Sequence, residues 1–183
     1  HQLRSVAEYA QFLERNPGEL ELLFKELLIG VTQFFRDPTV WQHFEAQVLP
    51  ELLATHPAES PLRAWVVGCS TGEEAYSLAI GFADVVSRIP QFERQGLQIF
   101  ATDPNADAIA VARRGEYPAS IAKAVPADRL ARYFTCHDDR FRIASSVRDM
   151  VLFAEQDVVL DPPFTRLDIL CCRNLMIYLD PRL

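Results

Sequence analysis

No apolar run in the 183-residue sequence approaches the roughly 18 to 20 residues that a bilayer span needs, and the N-terminus lacks the charged-then-apolar pattern of a secretory signal. A cytoplasmic location without membrane insertion is the resulting expectation. The four cysteines, Cys69, Cys136, Cys171 and Cys172, form no Cys-x-x-Cys pair, and Cys171 with Cys172 lies in an apolar strand-like run where thiols pack as small hydrophobes. His43, His56 and His137 are scattered without metal-ligand spacing, so no metal site is expected. Basic charge is short as well: 18 Lys and Arg face 25 Asp and Glu, a formal net charge of −7. Residues 1–60 hold four basic residues against nine acidic ones, so most of the excess lies at the N-terminal end. Binding to nucleic acid is not expected of such a chain, because phosphate recognition depends on a basic footprint.

What remains is a chain that is 49% apolar and 23% charged, enough to bury one core with a small appendage. The first 55 residues read as helices. Asn16-Pro17-Gly18-Glu19 combines an N-cap, a proline at the first helical position and a Glu at the third, and Leu20, Leu23, Phe24, Leu27 and Leu28 follow at helical spacing. Asp37-Pro38 repeats the start signal, and Trp41, Phe44, Val48 and Leu52 mark one apolar face behind it. The polar stretch from His56 to Pro61 reads as a linker, which gives a helical subdomain over 1–58 and a second domain over 62–183.

From Leu62 the pattern becomes strands alternating with helices. Short apolar runs at 62–67, 97–101, 151–154 and 167–172 predict four strands. Between them fall a helix carrying Leu78, Phe82, Val85, Val86 and Ile89, a helix with Ile109 and Ala112 that stops at Gly115, and a helix over 126–134. That order predicts an α/β fold with a doubly wound parallel sheet, whose ligand site lies at the carboxyl ends of the strands.

The residues just after each strand therefore carry the most weight. Gly68-Cys69-Ser70-Thr71-Gly72-Glu73-Glu74 is a tight turn into a helix, but it lacks the third glycine of a dinucleotide fingerprint and no basic residue follows. An acidic loop suits a cationic ligand better than a diphosphate. Glu74 is the candidate acceptor for an amino or sulfonium group; it also fits a first-turn residue favoured by the helix dipole. Asp103, after the second strand, can accept from both ribose hydroxyls of a nucleoside, and it equally fits an N-cap before Pro104. Asp157 holds the corresponding place for an adenine edge, with a surface-loop aspartate as the alternative. The run from Asp168 to Tyr178 ends an apolar strand in Arg173-Asn174, placing a guanidinium and an amide at the ligand face with Tyr178 near the same cleft.

Two motifs suggest other chemistry. Gly68-Cys69-Ser70-Thr71-Gly72 fits the Gly-x-Ser-x-Gly nucleophile elbow, which would make Ser70 catalytic, yet only helices precede it and His137 lies in a polar turn before two further strands. Asp161-Pro162-Pro163-Phe164 matches a pattern of adenine-amino methyltransferases, but it precedes the fourth strand where that family has it at the strand's end.

Thr32-Gln33-Phe34-Phe35-Arg36-Asp37, Gly68 through Ser77, Ala101-Thr102-Asp103 and Cys172 through Tyr178 resemble, in that order, the signature segments of CheR protein-glutamate methyltransferases. Ile29-Gly30-Val31-Thr32 with Asp161-Pro162-Pro163-Phe164 is most similar to the version in CheB-CheR fusion proteins. The resemblance implies a Rossmann-like class I methyltransferase that binds S-adenosylmethionine, releases S-adenosylhomocysteine and methylates glutamates of a chemoreceptor or related signalling protein. It implies cofactor contacts from Thr32, Arg36, Gly68, Glu74, Asp103, Asp157, Val158, Arg173 and Asn174, with Arg36 and Tyr178 also bordering the transferred methyl. Thr32 and Arg36, four apart, are expected on one side of a helical turn. Gly30 stands where better known members have Asn, Asp157 replaces Asn and Ala75 replaces Pro. The resemblance further implies three more strands and a small β subdomain beyond residue 183, so completion by a following segment or another chain is expected. A module that binds the cofactor without turnover, as sensor or scaffold of a larger signalling protein, is the alternative.

Overall fold

A computed structural model of the chain describes residues 5–27, 32–57 and 60–178; the side chains of Glu21, of residues 24–27 and of Tyr178 lie outside that description. Contacts divide the chain into residues 1–31 and 32–183. In the first unit, α1 (Val6–Arg15) begins at Ser5, whose side chain accepts from the Glu8 amide at 3.2 Å. Then α2 (Pro17–Leu27) starts on its proline, as the sequence predicts, and Tyr9 Oη donates to Glu19 Oε1 at 3.3 Å across the pair.

The second unit takes in the helices after Thr32 that the sequence pattern groups with the N-terminal subdomain. They are α3 (Pro38–His43), a π-helical turn (Phe44–Val48) and α4 (Leu49–Thr55). The π turn inserts one residue into the helical period. The buried set therefore moves from the expected Val48 and Leu52 to Leu49 and Leu53, 0% and 2% exposed, while Val48 is 41% exposed. These helices share the core of the sheet, and that shared core is why the compact unit begins at Thr32 and not at the linker before Leu62.

The central sheet contains β1 (Leu62–Val67), β2 (Leu97–Asp103), β6 (Val151–Glu155) and β7 (Ile169–Cys171), all parallel, in the order β6-β2-β1-β7. The four predicted strands are thus present and adjacent, as a Rossmann-like sheet requires. Helix α5 (Glu73–Arg88) packs into the core, with Ala75, Tyr76, Ala79 and Ile80 at 0% exposure; burying the Ile80 side chain contributes about 1.5–3 kcal/mol. On one face of the sheet Leu152, Phe100, Trp65 and Leu170 pair in register across all four strands. Phe164 covers the middle of that row, stacked 4.5 Å from Phe100 and edge-on 5.4 Å from Trp65.

Between β2 and β6 the chain builds more than the two predicted helices. After α6 (Ala106–Arg114), ended by Gly115 in the left-handed region (φ 63°), come β3 (Glu116–Pro118), α7 (Ala127–Tyr133), β4 (Phe134–His137), β5 (Arg140–Ile143) and α8 (Ser145–Arg148). The three short strands form a separate antiparallel sheet, β3-β5-β4, closed by a two-residue turn with Asp138 and Asp139 at φ 47° and 58°. A small β subdomain therefore lies inside the chain, whereas the sequence reading expected one only beyond residue 183. Asp84, on α5 and 0% exposed, pins α7: it accepts from Arg129 Nε at 2.8 Å, Arg132 Nη1 at 2.7 Å and Tyr133 Oη at 2.7 Å.

Candidate functional site

Parallel strands bring their carboxyl ends to one edge, and the order β6-β2-β1-β7 puts the switch in direction between β1 and β7. The loop that leaves β1 turns sharply into α5, with Gly68, Ser70 and Gly72 at φ 66°, 49° and 96°. At Gly72 glycine is required twice over, because a Cβ there would lie 2.9 Å from the Ala112 Cβ. Gly68 faces the segment after β7, since its Cβ would lie 3.3 Å from Leu175 Cδ1. The loop is held from outside as well: the Cys69 amide donates to Thr102 O at 2.9 Å and Tyr117 Oη to Thr71 O at 2.8 Å.

Asp103 ends β2 and ties two loops together. Its Oδ2 accepts from the Ser70 amide at 2.8 Å and its Oδ1 from the Asn105 amide at 2.9 Å. Capping of α6 falls to Asn105, whose side chain accepts from Asp107 and Ala108. Each Asp103 oxygen keeps a lone pair for a ligand hydroxyl. Beside it the Gln156 amide donates to Asp103 O at 3.2 Å, which sets the following Asp157 next to β2. Asp157 closes a turn, its Oδ1 accepting from the Val159 amide at 2.8 Å and its own amide donating to Asp161 Oδ2 at 2.8 Å; Val158, within that turn, is 36% exposed.

Arg173, after β7, gathers the other side. Its Nη2 donates to Arg36 O at 2.9 Å and to Asp37 Oδ2 at 2.6 Å, and its guanidinium lies 5.7 Å above the Trp41 ring. Its Nη1 is buried, 3.8 Å from Glu74 Oε2, and has no hydrogen-bond partner among the described residues. Glu74 Oε1 accepts from the Cys171 thiol at 2.7 Å. Burial, reinforced by Glu74, pushes the Cys171 thiol far up, so it stays protonated as a donor. Asn174 is exposed at φ 57°, and Tyr178 ends a 3-10 turn (Met176–Tyr178) with its side chain outside the described residues.

Residues 32–37 do not form the helical turn expected from the spacing of Thr32 and Arg36. They form a bend in which Phe35 and Asp37 take φ 50° and 58°. A left-handed residue with a Cβ costs roughly 1–2 kcal/mol, so the bend persists only because partners over-determine it. The Phe35 amide donates to Ser77 Oγ at 2.9 Å, the Arg129 guanidinium lies 4.5 Å over the Phe35 ring, and Trp41 Nε1 donates to Arg36 O at 2.9 Å. Thr32 and the Arg36 side chain are half-buried at this bend. Asp37 stands before α3, as its start signal predicts, yet its carboxylate serves Arg173 and makes no cap bond. Gly30, singled out above, lies outside the described residues.

Residues 30–183 match the protein family described as "CheR methyltransferase, SAM binding domain". The chain belongs to the CheR methyltransferase family. It is 39% identical over 98% of its length to an uncharacterized 104.1 kDa protein of Rhodobacter capsulatus, of which it covers 19%. It is 33% identical, over 97% of its length, to chemotaxis protein methyltransferase 2 of Pseudomonas aeruginosa, covering 63% of that protein, and 29% identical, over 98%, to the chemotaxis protein methyltransferase of Borreliella burgdorferi, covering 65%. The chain thus spans less than two thirds of the length of these relatives. The cofactor of the CheR domain is S-adenosylmethionine.

The residues of this CheR domain fit that cofactor. Gly68 and Gly72 allow the left-handed turn that brings the loop beside Asp103, Asp103 retains acceptor capacity, and the buried Arg173 Nη1 is a donor in want of an acceptor such as a carboxylate. Two rival motifs fall elsewhere. Ser70 takes a left-handed conformation, but His56 lies with Asp168 (3.6 Å) at the amino end of β1 and His137 with Asp138 (3.1 Å) in the hairpin. Phe164 of Asp161-Pro162-Pro163-Phe164 lies against the sheet face, and Asp161 closes the Asp157 turn. No group of His, Cys, Asp and Glu that could hold a metal, and no helix long and apolar enough to cross a membrane, occurs among the described residues. Sequence reasoning missed Trp41, Ser77, Asp37 and Cys171 as parts of the site, because each doubles as an ordinary core, helix or cap residue. The indole N–H of a tryptophan within reach of Arg36 was the one available signal.

Proposed function

We propose that this chain is the cofactor-binding and catalytic core of a methyltransferase that esterifies glutamate side chains of a signalling protein. The observation that carries this reading is the convergence of the Gly68 loop, Asp103 and a buried, incompletely paired Arg173 on one edge of a parallel sheet. Bound S-adenosylmethionine supplies an electrophilic methyl group on a positively charged sulfur. Asp103 would hold the ribose hydroxyls, Asp157 with Val158 the adenine, and Glu74, Arg173 and Asn174 the amino acid end. Thr32 would complete the wall on the side of the bend.

The acceptor needs no general base, since a glutamate with a reference pKa near ~4.3 is already a carboxylate at neutral pH. The work left to the protein is alignment and exclusion of water. Arg36 would hold the acceptor carboxylate and the Tyr178 hydroxyl would orient it. Opposite charges on acceptor and donor cancel as the bond forms, so a cleft of low dielectric favours the transfer. An acidic N-terminal region suits an acceptor other than one recognised through a basic docking surface, and a cytoplasmic signalling protein is the partner this reading names.

Calorimetry with S-adenosylmethionine and S-adenosylhomocysteine tests the site; both are expected to bind, and absence of binding would overturn the reading. Transfer of labelled methyl to a candidate acceptor, released as methanol by alkali, tests the ester. Replacing Arg36 by Ala is expected to lower that transfer at least about tenfold with little loss of cofactor affinity. A cofactor-binding module without turnover is the alternative, and it predicts binding with no alkali-labile methyl.

A further inference from the structure

We infer that Trp41, a buried residue with no part in the proposed chemistry, is a positioning residue that sets Arg36 and Arg173 together. The inference rests on the proposed placement of Arg36 beside the transferred methyl. Trp41 reaches both arginines by different means: its Nε1 donates to the Arg36 carbonyl at 2.9 Å, and its ring lies under the Arg173 guanidinium at 5.7 Å. Arg173 Nη2 donates to that same carbonyl at 2.9 Å. A single peptide oxygen is thus gripped by two donors, one from α3 and one from the segment after β7.

The grip matters because the bend depends on partners distant in sequence. Phe35 and Asp37, on either side of Arg36, are both left-handed, a conformation that relaxes when its hydrogen bonds are removed. Phe34 and Phe35 are packed in the core at 1% and 5% exposure, but a pocket of about 340 Å³, lined by Phe35, Trp41, Glu45, Arg88 and Arg129 among others, adjoins the bend. Ser77 Oγ fixes the preceding amide at 2.9 Å, which leaves the Arg36 carbonyl as the second anchor. Trp41 is only 5% exposed, too enclosed to meet an acceptor itself, so its effect on the reaction must pass through the arginines. A phenylalanine or leucine would also be apolar, though smaller, at this core position; of the three only the indole brings an N–H donor.

The test compares two probes on the full chain. S-adenosylmethionine and S-adenosylhomocysteine differ by one methyl and one positive charge, so their affinity ratio reads the charge beside the sulfur. Arg36→Gln should move that ratio toward S-adenosylmethionine by about three- to tenfold, because a neighbouring cation disfavours a sulfonium. Trp41→Phe, which keeps a ring and removes the donor, should move it the same way by about two- to fivefold, and Ser77→Ala should do likewise from the other side of the bend. In the double variant with Arg36→Gln, Trp41→Phe should add nothing further. Equal weakening of both probes, an unchanged ratio, or full additivity would reduce Trp41 to a packing residue and overturn the inference. An unchanged ratio in Arg36→Gln with both probes bound would overturn the placement of Arg36. Failure of the unsubstituted chain to bind either probe would instead overturn the proposed function.

Discussion

Asp84 and Arg173 are both largely buried charges, and they are finished differently. Asp84 is 0% exposed and accepts from Arg129, Arg132 and Tyr133 at 2.7 to 2.8 Å, so both of its oxygens are paired within the protein. Arg173 spends Nη2 on Arg36 O and Asp37, but its buried Nη1 has only Glu74 at 3.8 Å and no hydrogen bond among the described residues. A buried charge is costly unless every donor or acceptor is used. The closed cluster therefore belongs to stability, joining α7 to α5, and the open one keeps a donor that the proposed cofactor would complete.

Variants can break that contrast. The largest effect is expected from Asp84→Ala, which removes the acceptor of Arg129 and Tyr133 and leaves Arg129 with Glu45 alone at 2.6 Å; it should cost about 3 kcal/mol in chemical denaturation, with unchanged S-adenosylhomocysteine affinity in whatever remains folded. A mild loss of stability would mean that the cluster is a surface ion pair in effect. Next, Arg173→Ala should weaken S-adenosylhomocysteine binding by about ten- to a hundredfold in calorimetry while lowering stability by no more than about 1 kcal/mol. The reverse pattern, stability lost and affinity kept, would make Arg173 a strut of the fold.

The smallest effect sharpens the comparison at a third buried charge, Glu73. Burial raises its pKa, only partly offset by the hydrogen bond from Thr71 Oγ1 at 2.7 Å. A raised carboxyl binds its proton more tightly in the folded chain than in the unfolded one. Its burial penalty is therefore absent below the ordinary glutamate range, grows as pH rises from that range through its folded pKa, and is constant above it. Glu73→Gln should thus raise thermal stability at about pH 8 and lose that advantage as pH falls toward the ordinary value near ~4.3. A stabilisation independent of pH would point to packing as its cause.

Much of the frame was legible from pattern. The runs at 62–67, 97–101, 151–154 and 167–172 are apolar, short and bounded by turn residues, and all four form the parallel sheet. Gly68, Asp103 and Arg173 stood out as candidates because they follow strand ends, where such folds bind ligands, and their loops do meet at one edge of the sheet. The π turn was not, since Val48, Leu49, Leu52 and Leu53 are all apolar and satisfy either register. The small antiparallel sheet was not, because Phe134–His137 and Arg140–Ile143 are four-residue strands rich in polar side chains around an Asp-Asp turn.

By itself the sequence determined the family, the four strands of the parallel sheet with the helices that follow β1 and β2, and the loops at those strand ends, since these follow from local periodicity and from motifs read in a line. Tertiary structure alone decided the shape of the Arg36 bend, whose helical reading failed. Its left-handed residues are held by Ser77, 42 residues on from Phe35, and by Arg173, 137 residues on from Arg36. A backbone conformation that is unfavourable alone and stable only through distant partners leaves no periodic trace in its own residues.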